Sequence, residues 1–185
     1  NLIIAIFVDE ISFINDDIVR LIKYDATHDN LTGLPNRKFV LDFIKRKLED
    51  EEKFTVLFVD FDGFKSVNDN FGHDTGDQAL IEGYKRIQSK IKETDVLARI
   101  GGDEFVVVLN NEFNKDNIEM VCKRILESFK PKFSITNHKF SLGLSIGACI
   151  NDTNSYSLDE IINLADQSMY DVKKKEKNNY RINNV

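Results

Sequence analysis

The chain has 185 residues and a formal net charge of −6, and 42% of its residues are hydrophobic while 30% are charged. Because domains average about 100–200 residues, this length fits one domain with a short extension, and the composition excludes intrinsic disorder and collagen-like repeats. The acidity disfavours a protein that holds nucleic acid through its phosphates, since such proteins are usually basic. It is compatible with carboxylates that hold metal ions, although a solubilising surface is the commoner cause.

The two cysteines, Cys122 and Cys149, lie far apart in apolar segments, and the sequence has no CxxC or Cys/His cluster. We therefore expect neither a zinc site nor a disulfide framework, but two core thiols in a reducing, cytoplasmic protein. The longest apolar run, residues 2–8, is too short to span a bilayer and has no basic flank like that of a signal peptide. We expect no direct membrane contact from this piece of a longer protein, which could still be anchored upstream.

The first 27 residues carry two patterns. Residues 1–9 are apolar and β-branched and predict a strand, while residues 10–27 have apolar side chains at spacings of three and four, which predicts an amphipathic helix. Gly33, within the sequence DNLTGLPNR, then predicts a turn. We place the boundary of the main domain near His28; the alternative is that the first helix packs into the same core.

The remaining segments alternate between helical and extended patterns. Helices are predicted over residues 36–48, 64–71, 75–91, 115–129 and 158–173. Strands are predicted over residues 54–61, 96–100, 104–109, 139–150 and 180–182, with a loop at 72–76 and a further strand at 133–136 that pairs with 139–150. Gly101-Gly102 predicts a hairpin. The alternation indicates a sheet covered by helices.

A first candidate site lies at the end of the apolar strand over residues 54–61. Asp60 and Asp62 are two residues apart, so their side chains point to the same side of the strand. Asp60 directly follows an apolar residue, and a carboxylate there must be paired, metal-bound or at the edge of the sheet, of which we favour the metal. Asp62 precedes the next helix, and we expect it to act only as the N-cap of that helix.

A second candidate site is the hairpin, where Asp103 and Glu104 directly follow the two glycines. Adjacent acids repel each other and need a compensating cation. Together with Asp60 they supply three carboxylates, a set that suits Mg²⁺ in contact with substrate phosphates. A nucleotide-phosphate site is therefore plausible on the residues alone.

A third candidate site spans residues 64–80. Lys65, at the start of a helix beside the Asp60 strand end, suits a polyphosphate. Asn68 and Asp77 carry groups that could read the edge of a guanine base. On spacing alone Asn68 could equally be a turn residue and Asp77 a helix cap, and His73 is more often structural than catalytic.

Taken together, these segments resemble the GGDEF family of diguanylate cyclases over residues 29–178. The matching segments are LTGLPNR (31–37), DFDGFKSVND (60–69), FGHDTGD (71–77), RIGGDEF (99–105), SIGA (145–148) and ADQSMY (165–170). The resemblance implies an α+β fold with a palm-like (ferredoxin-like, nucleotidyl-cyclase) sheet, mostly antiparallel and surrounded by helices. It also implies that two GTP molecules condense into cyclic di-GMP, with release of two pyrophosphates, where two such domains face each other.

The resemblance implies roles for individual residues as well. Asp60, the backbone carbonyl of Phe61 and Asp103 would hold Mg²⁺, or alternatively Mn²⁺, and Glu104 would assist with a second metal ion. Asp103 would accept the proton of the ribose 3′-hydroxyl. The residues expected to contact GTP are Asn68, His73 and Asp77 at the nucleoside, and Lys65, Lys173 and Lys177 at the phosphates, where Lys65 would stabilise charge in the transition state.

Two segments depart from the family pattern. An inhibitory Arg-x-x-Asp site often ends five residues before the signature, but here the residues are Lys92 to Asp95. Lysine cannot form the bidentate fork of a guanidinium group, so we expect weak or absent product inhibition from this degenerate site. Lys177 stands where the family commonly has a phosphate-binding arginine; it keeps the charge but not the directional hydrogen bonds.

The resemblance divides the chain into residues 1–27, which look like the end of a PAS-type sensor and a linker helix, and a GGDEF domain at 28–185. A simple helical leader is the alternative for the extension. Three functions remain open: an active cyclase, a non-catalytic GGDEF module that binds GTP or a protein partner as a regulator, and another palm-type nucleotidyl transferase. The intact signature favours the first, and the guanine-reading pair Asn68 and Asp77 argues against the third.

Overall fold

The computed structural model describes residues 24–153 and 155–183. The helices are α1 (Arg37–Glu49), α2 (Phe64–Phe71), α3 (His73–Gln88), α4 (Lys115–Phe129) and α5 (Leu158–Lys175). The strands are β1 (Phe54–Asp62), β2 (Val96–Gly101), β3 (Glu104–Asn110), β4 (Phe133–Ile135), β5 (His138–Phe140), β6 (Gly143–Asn151) and β7 (Asn179–Asn183). Residues 24–27 are helical, and the strand and most of the helix predicted for residues 1–27 lie outside the described residues.

The main sheet has the strand order β2-β3-β1-β6-β7. β1 pairs antiparallel with both β3 and β6, β2 pairs antiparallel with β3, and β7 joins β6 in parallel. All nine residues of β1 are buried, as its almost wholly apolar sequence predicts for a central strand. The predicted fold class, an α+β domain with a mostly antiparallel palm-like sheet, is confirmed.

Helices cover the sheet on both faces, and β1 alternates between the two layers. Its odd-numbered residues join the layer under α3 and α4, which contains Leu57, Val59, Phe61, Leu80, Ile87, Ile118, Ile125 and Phe129. Its even-numbered residues join the layer under α1 and α5, which contains Val40, Ile44, Val56, Phe58, Ile161, Ala165 and Met169. Both cysteines are buried and free, as predicted, one in each layer. No helix within residues 24–153 and 155–183 has the length and apolarity needed to cross a membrane.

Two predicted elements are wrong. The loop predicted at residues 72–76 is a single glycine, because α2 ends and α3 begins at Gly72, whose φ of +84° lies in the region that favours glycine. The strand predicted at residues 139–150 is two strands. Its first part, β5, pairs with β4 in a separate two-stranded sheet, and only β6 enters the main sheet. The remaining elements lie within a few residues of their predicted bounds.

Candidate functional site

Asp60 lies at the end of β1, on the face of the sheet that α5 covers. Its side chain is only 5% exposed, and Oδ1 accepts a hydrogen bond from Lys173 Nζ at 2.6 Å. Burial, together with the charges of Asp103 and Glu104, raises the pKa of Asp60 to about 6, although the hydrogen bond and charge of Lys173 oppose the shift. Lys173, which the family resemblance assigns to the phosphates, therefore lies directly against the first candidate metal ligand.

The Gly101-Gly102 turn brings the second pair of acids to the same end of the sheet. Glu104 is the register partner of Asp60 on the neighbouring strand. The backbone carbonyl of Asp103 accepts a hydrogen bond from Phe61 N at 3.3 Å, which ties the turn to β1. Burial raises the pKa of Glu104, and the charges of Asp166 and Asp103 raise it further.

The chemistry of these donors fits a divalent cation. The charge of Asp103 raises the pKa of both Asp60 and Glu104, and in the part of the chain that the structure describes only Lys173 directly pairs with Asp60, so a further positive charge there would be stabilising. Among the described residues, no three His, Cys, Asp or Glu side chains form a closed metal cluster. Mg²⁺ does not require one, because it commonly takes one or two carboxylates and completes its shell with water and phosphate oxygens.

Arg99 is a residue of this site that the sequence reasoning missed. Its Nη1 donates to both carboxylate oxygens of Asp29 at 3.0 Å, and its Nε and Nη2 donate to the carbonyl of Gly102 at 3.0 and 2.8 Å. Burial alone would raise the pKa of Asp29, but hydrogen bonds from Thr32 and Arg99 hold it below its ordinary value. The signal was an arginine two residues before a glycine pair, and its hydrogen bonds connect the Gly101-Gly102 turn to the segment before α1.

Replacing Arg99 by lysine is expected to loosen this connection. Lysine cannot donate to Asp29 and Gly102 in the same planar arrangement, so Arg99→Lys should lower the free energy of unfolding by about 1–3 kcal/mol. Urea unfolding of the variant measures this. Arg181→Lys is the matched control, because Arg181 is 51% exposed where it pairs with Asp171, and we expect a change below about 1 kcal/mol there. Equal effects of the two substitutions would contradict the assigned role of Arg99.

Asp62 is not the N-cap that the sequence suggests. The N-cap of α2 is Gly63, with φ of +85°. Asp62 is instead the last residue of β1, and its oxygens accept hydrogen bonds from Ser145 Oγ at 2.9 Å and Asn178 N at 2.8 Å. Because the strand continues through Asp62, strand alternation keeps its side chain on the α5 face. There it connects β6 to the segment between α5 and β7.

The candidate base-reading residues lie on two adjoining helices. Asn68 lies in α2, so it is not a turn residue, and its Oδ1 is so close to α3 that a Cβ at Gly76 would be 1.8 Å from it. Asp77 follows Gly76, inside α3 rather than at its cap, and is exposed. His73 is also exposed and is the first residue of α3. The structure therefore brings Asn68 against the turn of α3 that carries Asp77.

The lysines proposed for phosphate contact come from three places. Lys65 is exposed on the first turn of α2, just after the end of β1. Lys173 pairs with Asp60, as described above, and Lys177 is exposed between α5 and β7. Lys65 thus follows β1, which carries Asp60, and Lys177 follows α5, which carries Lys173.

The degenerate inhibitory site lies in the connection between α3 and β2. Asp95 Oδ2 accepts a hydrogen bond from Lys92 N at 2.8 Å, and Oδ1 accepts one from Asn110 N at 3.0 Å. Lys92 Nζ lies 3.5 Å from Glu112 Oε2 and is largely exposed. The carboxylate of Asp95 thus stabilises its own turn, and the lysine is drawn towards another acid.

Comparisons with known proteins identify the family. The family profile described as "Diguanylate cyclase, GGDEF domain" matches residues 26–179. The chain is 36% identical over 170 residues to the bifunctional diguanylate cyclase/cyclic di-GMP phosphodiesterase MucR of Pseudomonas aeruginosa, covering 90% of this chain and 24% of MucR. It is 32% identical over 166 residues to diguanylate cyclase TpbB of the same species, covering 87% of this chain and 38% of TpbB.

A solved structure supports the same assignment. The GGDEF domain of TpbB from Pseudomonas aeruginosa superimposes with a TM-score of 0.80 at 32% identity, covering 84% of this chain and 93% of that one. The chain spans well under half the length of the curated relatives MucR and TpbB. The chain belongs to the GGDEF-domain family of diguanylate cyclases.

Proposed function

We propose that residues 28–185 condense two GTP molecules into cyclic di-GMP with release of two pyrophosphates, as the output domain of a larger signalling protein. The observation that carries this proposal is the convergence of Asp60, Asp103 and Glu104 at one end of the sheet, beside Lys173. Membership in a family that includes diguanylate cyclases supports it.

Guanine recognition is assigned to Asn68 and Asp77. A carboxylate can accept hydrogen bonds from the N1–H and the 2-amino group of guanine, and an amide can both donate and accept. Adenine has no N1–H or 2-amino group, so this pair favours GTP over ATP. His73 lies four residues before Asp77, at the start of the same helix, and lines the nucleoside site.

The phosphates are assigned to lysines, because phosphoryl transfer is largely positioning and electrostatic stabilisation. Lys65 and Lys177 offset the negative charge on the triphosphate. Lys173 Nζ donates a hydrogen bond to Asp60 at 2.6 Å, so its ammonium group lies between the carboxylate and the position we assign to the phosphates. Lys65 is the group we assign to the charge that develops in the transition state.

The reaction joins the ribose O3′ of one GTP to the α-phosphorus of the other, while the bond from that phosphorus to pyrophosphate breaks. Asp103 receives the proton of the 3′-hydroxyl as a relay, since a carboxylate is a weak base for a sugar hydroxyl. A divalent cation, Mg²⁺ or Mn²⁺, held by Asp60, the Phe61 carbonyl, Asp103 and Glu104 would supply charge stabilisation and make the hydroxyl more acidic. Asp60 and Glu104 are the carboxylates that would keep this cation at the end of the sheet.

Each domain holds one GTP, so two copies of the domain have to face each other. The segment upstream of residue 28 is the part of the chain we assign to bringing them together under the control of a sensor. Because two domains have to meet, the test has to use the protein with its upstream segments.

The decisive experiment is an incubation of the full-length protein, with its upstream segments, with GTP or ATP and Mg²⁺, followed by mass spectrometry of the products. We expect cyclic di-GMP from GTP and no cyclic dinucleotide from ATP. GTP binding by the dimer without product would contradict catalysis and favour a regulatory GGDEF module. A cyclic mononucleotide would instead indicate another class of nucleotidyl transferase.

Product inhibition is expected to be weak. Lys92 cannot replace a guanidinium fork, and both oxygens of Asp95 accept backbone hydrogen bonds. Turnover measured against increasing cyclic di-GMP should therefore show no inhibition in the micromolar range. Lys92→Arg is the comparison variant, in which we expect inhibition to strengthen. Micromolar feedback inhibition of the unchanged protein would refute the prediction.

A further inference from the structure

A close approach between α3 and β1 depends on one residue. Gly83 is buried within α3, and a Cβ built on it would lie 2.3 Å from Cε2 and 2.4 Å from Cζ of Phe61. Real Cβ atoms essentially never come within 3.0 Å of such atoms. Glycine inside a helix costs about 1 kcal/mol relative to alanine, so its presence there serves the contact with the Phe61 ring.

The ring of Phe61 cannot move aside. Its side chain is 1% exposed and stacks on Phe105, with ring centroids 5.1 Å apart and planes inclined by 20°. Its edge meets Phe129 at 5.2 Å and 71°. A packed aromatic ring has little room to relax, so any group added at Gly83 has to displace α3 or β1 as a whole.

Both displaced elements would carry site residues with them. Asp60 and the carbonyl of Phe61 lie near the end of β1, and Phe61 N donates a hydrogen bond to the carbonyl of Asp103. α3 begins at His73 and carries Asp77, on the same helix as Gly83. The spacing between these two elements is therefore also the spacing between the base-reading and phosphate-handling parts of the site.

We propose that Gly83 is a positioning residue: its missing side chain sets the distance between Asp77 on α3 and Asp60 on β1, so that one nucleoside triphosphate reaches both. The inference rests on the proposed use of GTP at this site. It predicts that Gly83 and Phe61 act as a matched pair, in which a larger residue at 83 is accepted only with a smaller one at 61.

The test compares the unchanged protein with Gly83→Ala, Phe61→Leu and the double variant. Mn²⁺ affinity is measured by electron paramagnetic resonance in the presence of 3′-deoxy-GTP, which lacks the attacking hydroxyl, and turnover is measured with GTP. We expect Gly83→Ala to weaken binding about tenfold or more and to lower kcat by about 10²-fold, the loss typical of a misplaced site. Leucine has no Cε2 or Cζ, so the double variant should recover most of both.

In the Phe61→Leu background, Gly83→Ala should improve Mn²⁺ binding and thermal stability. In the unchanged protein, the same substitution should weaken both. This reversal of sign keeps the test valid even if Gly83→Ala alone folds poorly. Ile118→Val, a buried change on α4, is the control for lost stability and should leave nucleotide binding within about twofold, since it adds no group between α3 and β1.

Unchanged binding and kcat in Gly83→Ala, or a double variant no better than its parents, would overturn the inference. The proposed function can fail separately: if the unchanged protein binds Mn²⁺ and 3′-deoxy-GTP but forms no cyclic di-GMP, catalysis is refuted. The binding comparison between the four proteins then still decides the role of Gly83.

Discussion

Asp103→Asn is expected to lower the rate of cyclic di-GMP formation by at least about 10²–10⁴-fold, the range that proton transfer by a positioned side chain contributes. Asparagine has nearly the same shape but cannot receive the proton of the 3′-hydroxyl and is a poorer ligand for a divalent cation. The fold should survive, because the contact between this turn and β1 uses the backbone carbonyl of residue 103, which accepts from Phe61 N.

The control for this substitution is Asp116→Asn. Asp116 lies in the first turn of α4, is exposed, and makes no contact with the carboxylate cluster in the hydrogen bonds and ion pairs of the described residues. Both variants are compared by mass spectrometry of the product and by thermal melting. Turnover retained by Asp103→Asn, or lost equally in Asp116→Asn, would refute the role given to Asp103.

Lys173→Met is expected to lower turnover by about 10²–10³-fold, as the loss of one preorganised electrostatic group does. Methionine keeps an apolar stem but leaves the buried carboxylate of Asp60 without its hydrogen-bonding cation. The free energy of unfolding should fall by about 1–3 kcal/mol at neutral pH, less than for a fully enclosed pair because Lys173 is 36% exposed. Lys174→Met, an exposed change next to it, is the control and should alter neither quantity much.

The effect of Lys173→Met should grow with pH. The pKa of Asp60 is about 6 in the folded protein against an ordinary value of 3.8, so the folded protein binds this proton more tightly than the unfolded chain does. The resulting stability is fully present below the ordinary pKa and is lost as the pH rises through about 6. Removing Lys173 raises the pKa of Asp60 further and extends this loss to higher pH.

Unfolding at pH 5 and pH 8 separates this effect from a simple packing defect. At about pH 5 the carboxyl is mostly protonated in both proteins, and the difference in unfolding free energy should be small. At about pH 8 it is ionised in both, and only the variant lacks the cation. The acid limb of the pH–rate profile should move upward in the variant as well. A pH-independent difference would show that Asp60 and Lys173 are not coupled in this way.

Local signals in the sequence predict much of the fold. The helix at residues 64–71 is predicted to the residue because glycines flank it, and the helix at 115–129 because Asn114 caps it and Pro131 follows. The split of residues 139–150 is missed because the run has no proline and no cluster of polar residues that would mark a break. Its break depends on the pairing of β5 with β4, which no local pattern records.

The candidate site is predictable where it depends on strand alternation and not where it depends on long-range contacts. Asp60 is predicted from its place in the strand to be paired, metal-bound or at the sheet edge, with the metal favoured, and in the structure it pairs with Lys173. Its partner could not be identified from the sequence, because Lys173 is 113 positions away. Asp62 likewise accepts hydrogen bonds from Ser145 and Asn178, which are 83 and 116 positions away. Arg99 and Asp29, 70 positions apart, are missed for the same reason.

The alternation of β1 divides the proposed site between two layers of the protein. Asp60 faces the layer under α5, which carries Lys173, while its neighbour Phe61 faces the layer under α3, which carries Asp77, the residue we propose to read the base. On the proposed roles, side-chain contacts made under α3 act mainly on the base and those made under α5 act mainly on the phosphates, and the α3–β1 spacing that Gly83 sets couples the two layers. A one-residue insertion within β1 would destroy both at once, because it would turn the carboxylate into the aromatic layer and the ring towards the phosphates.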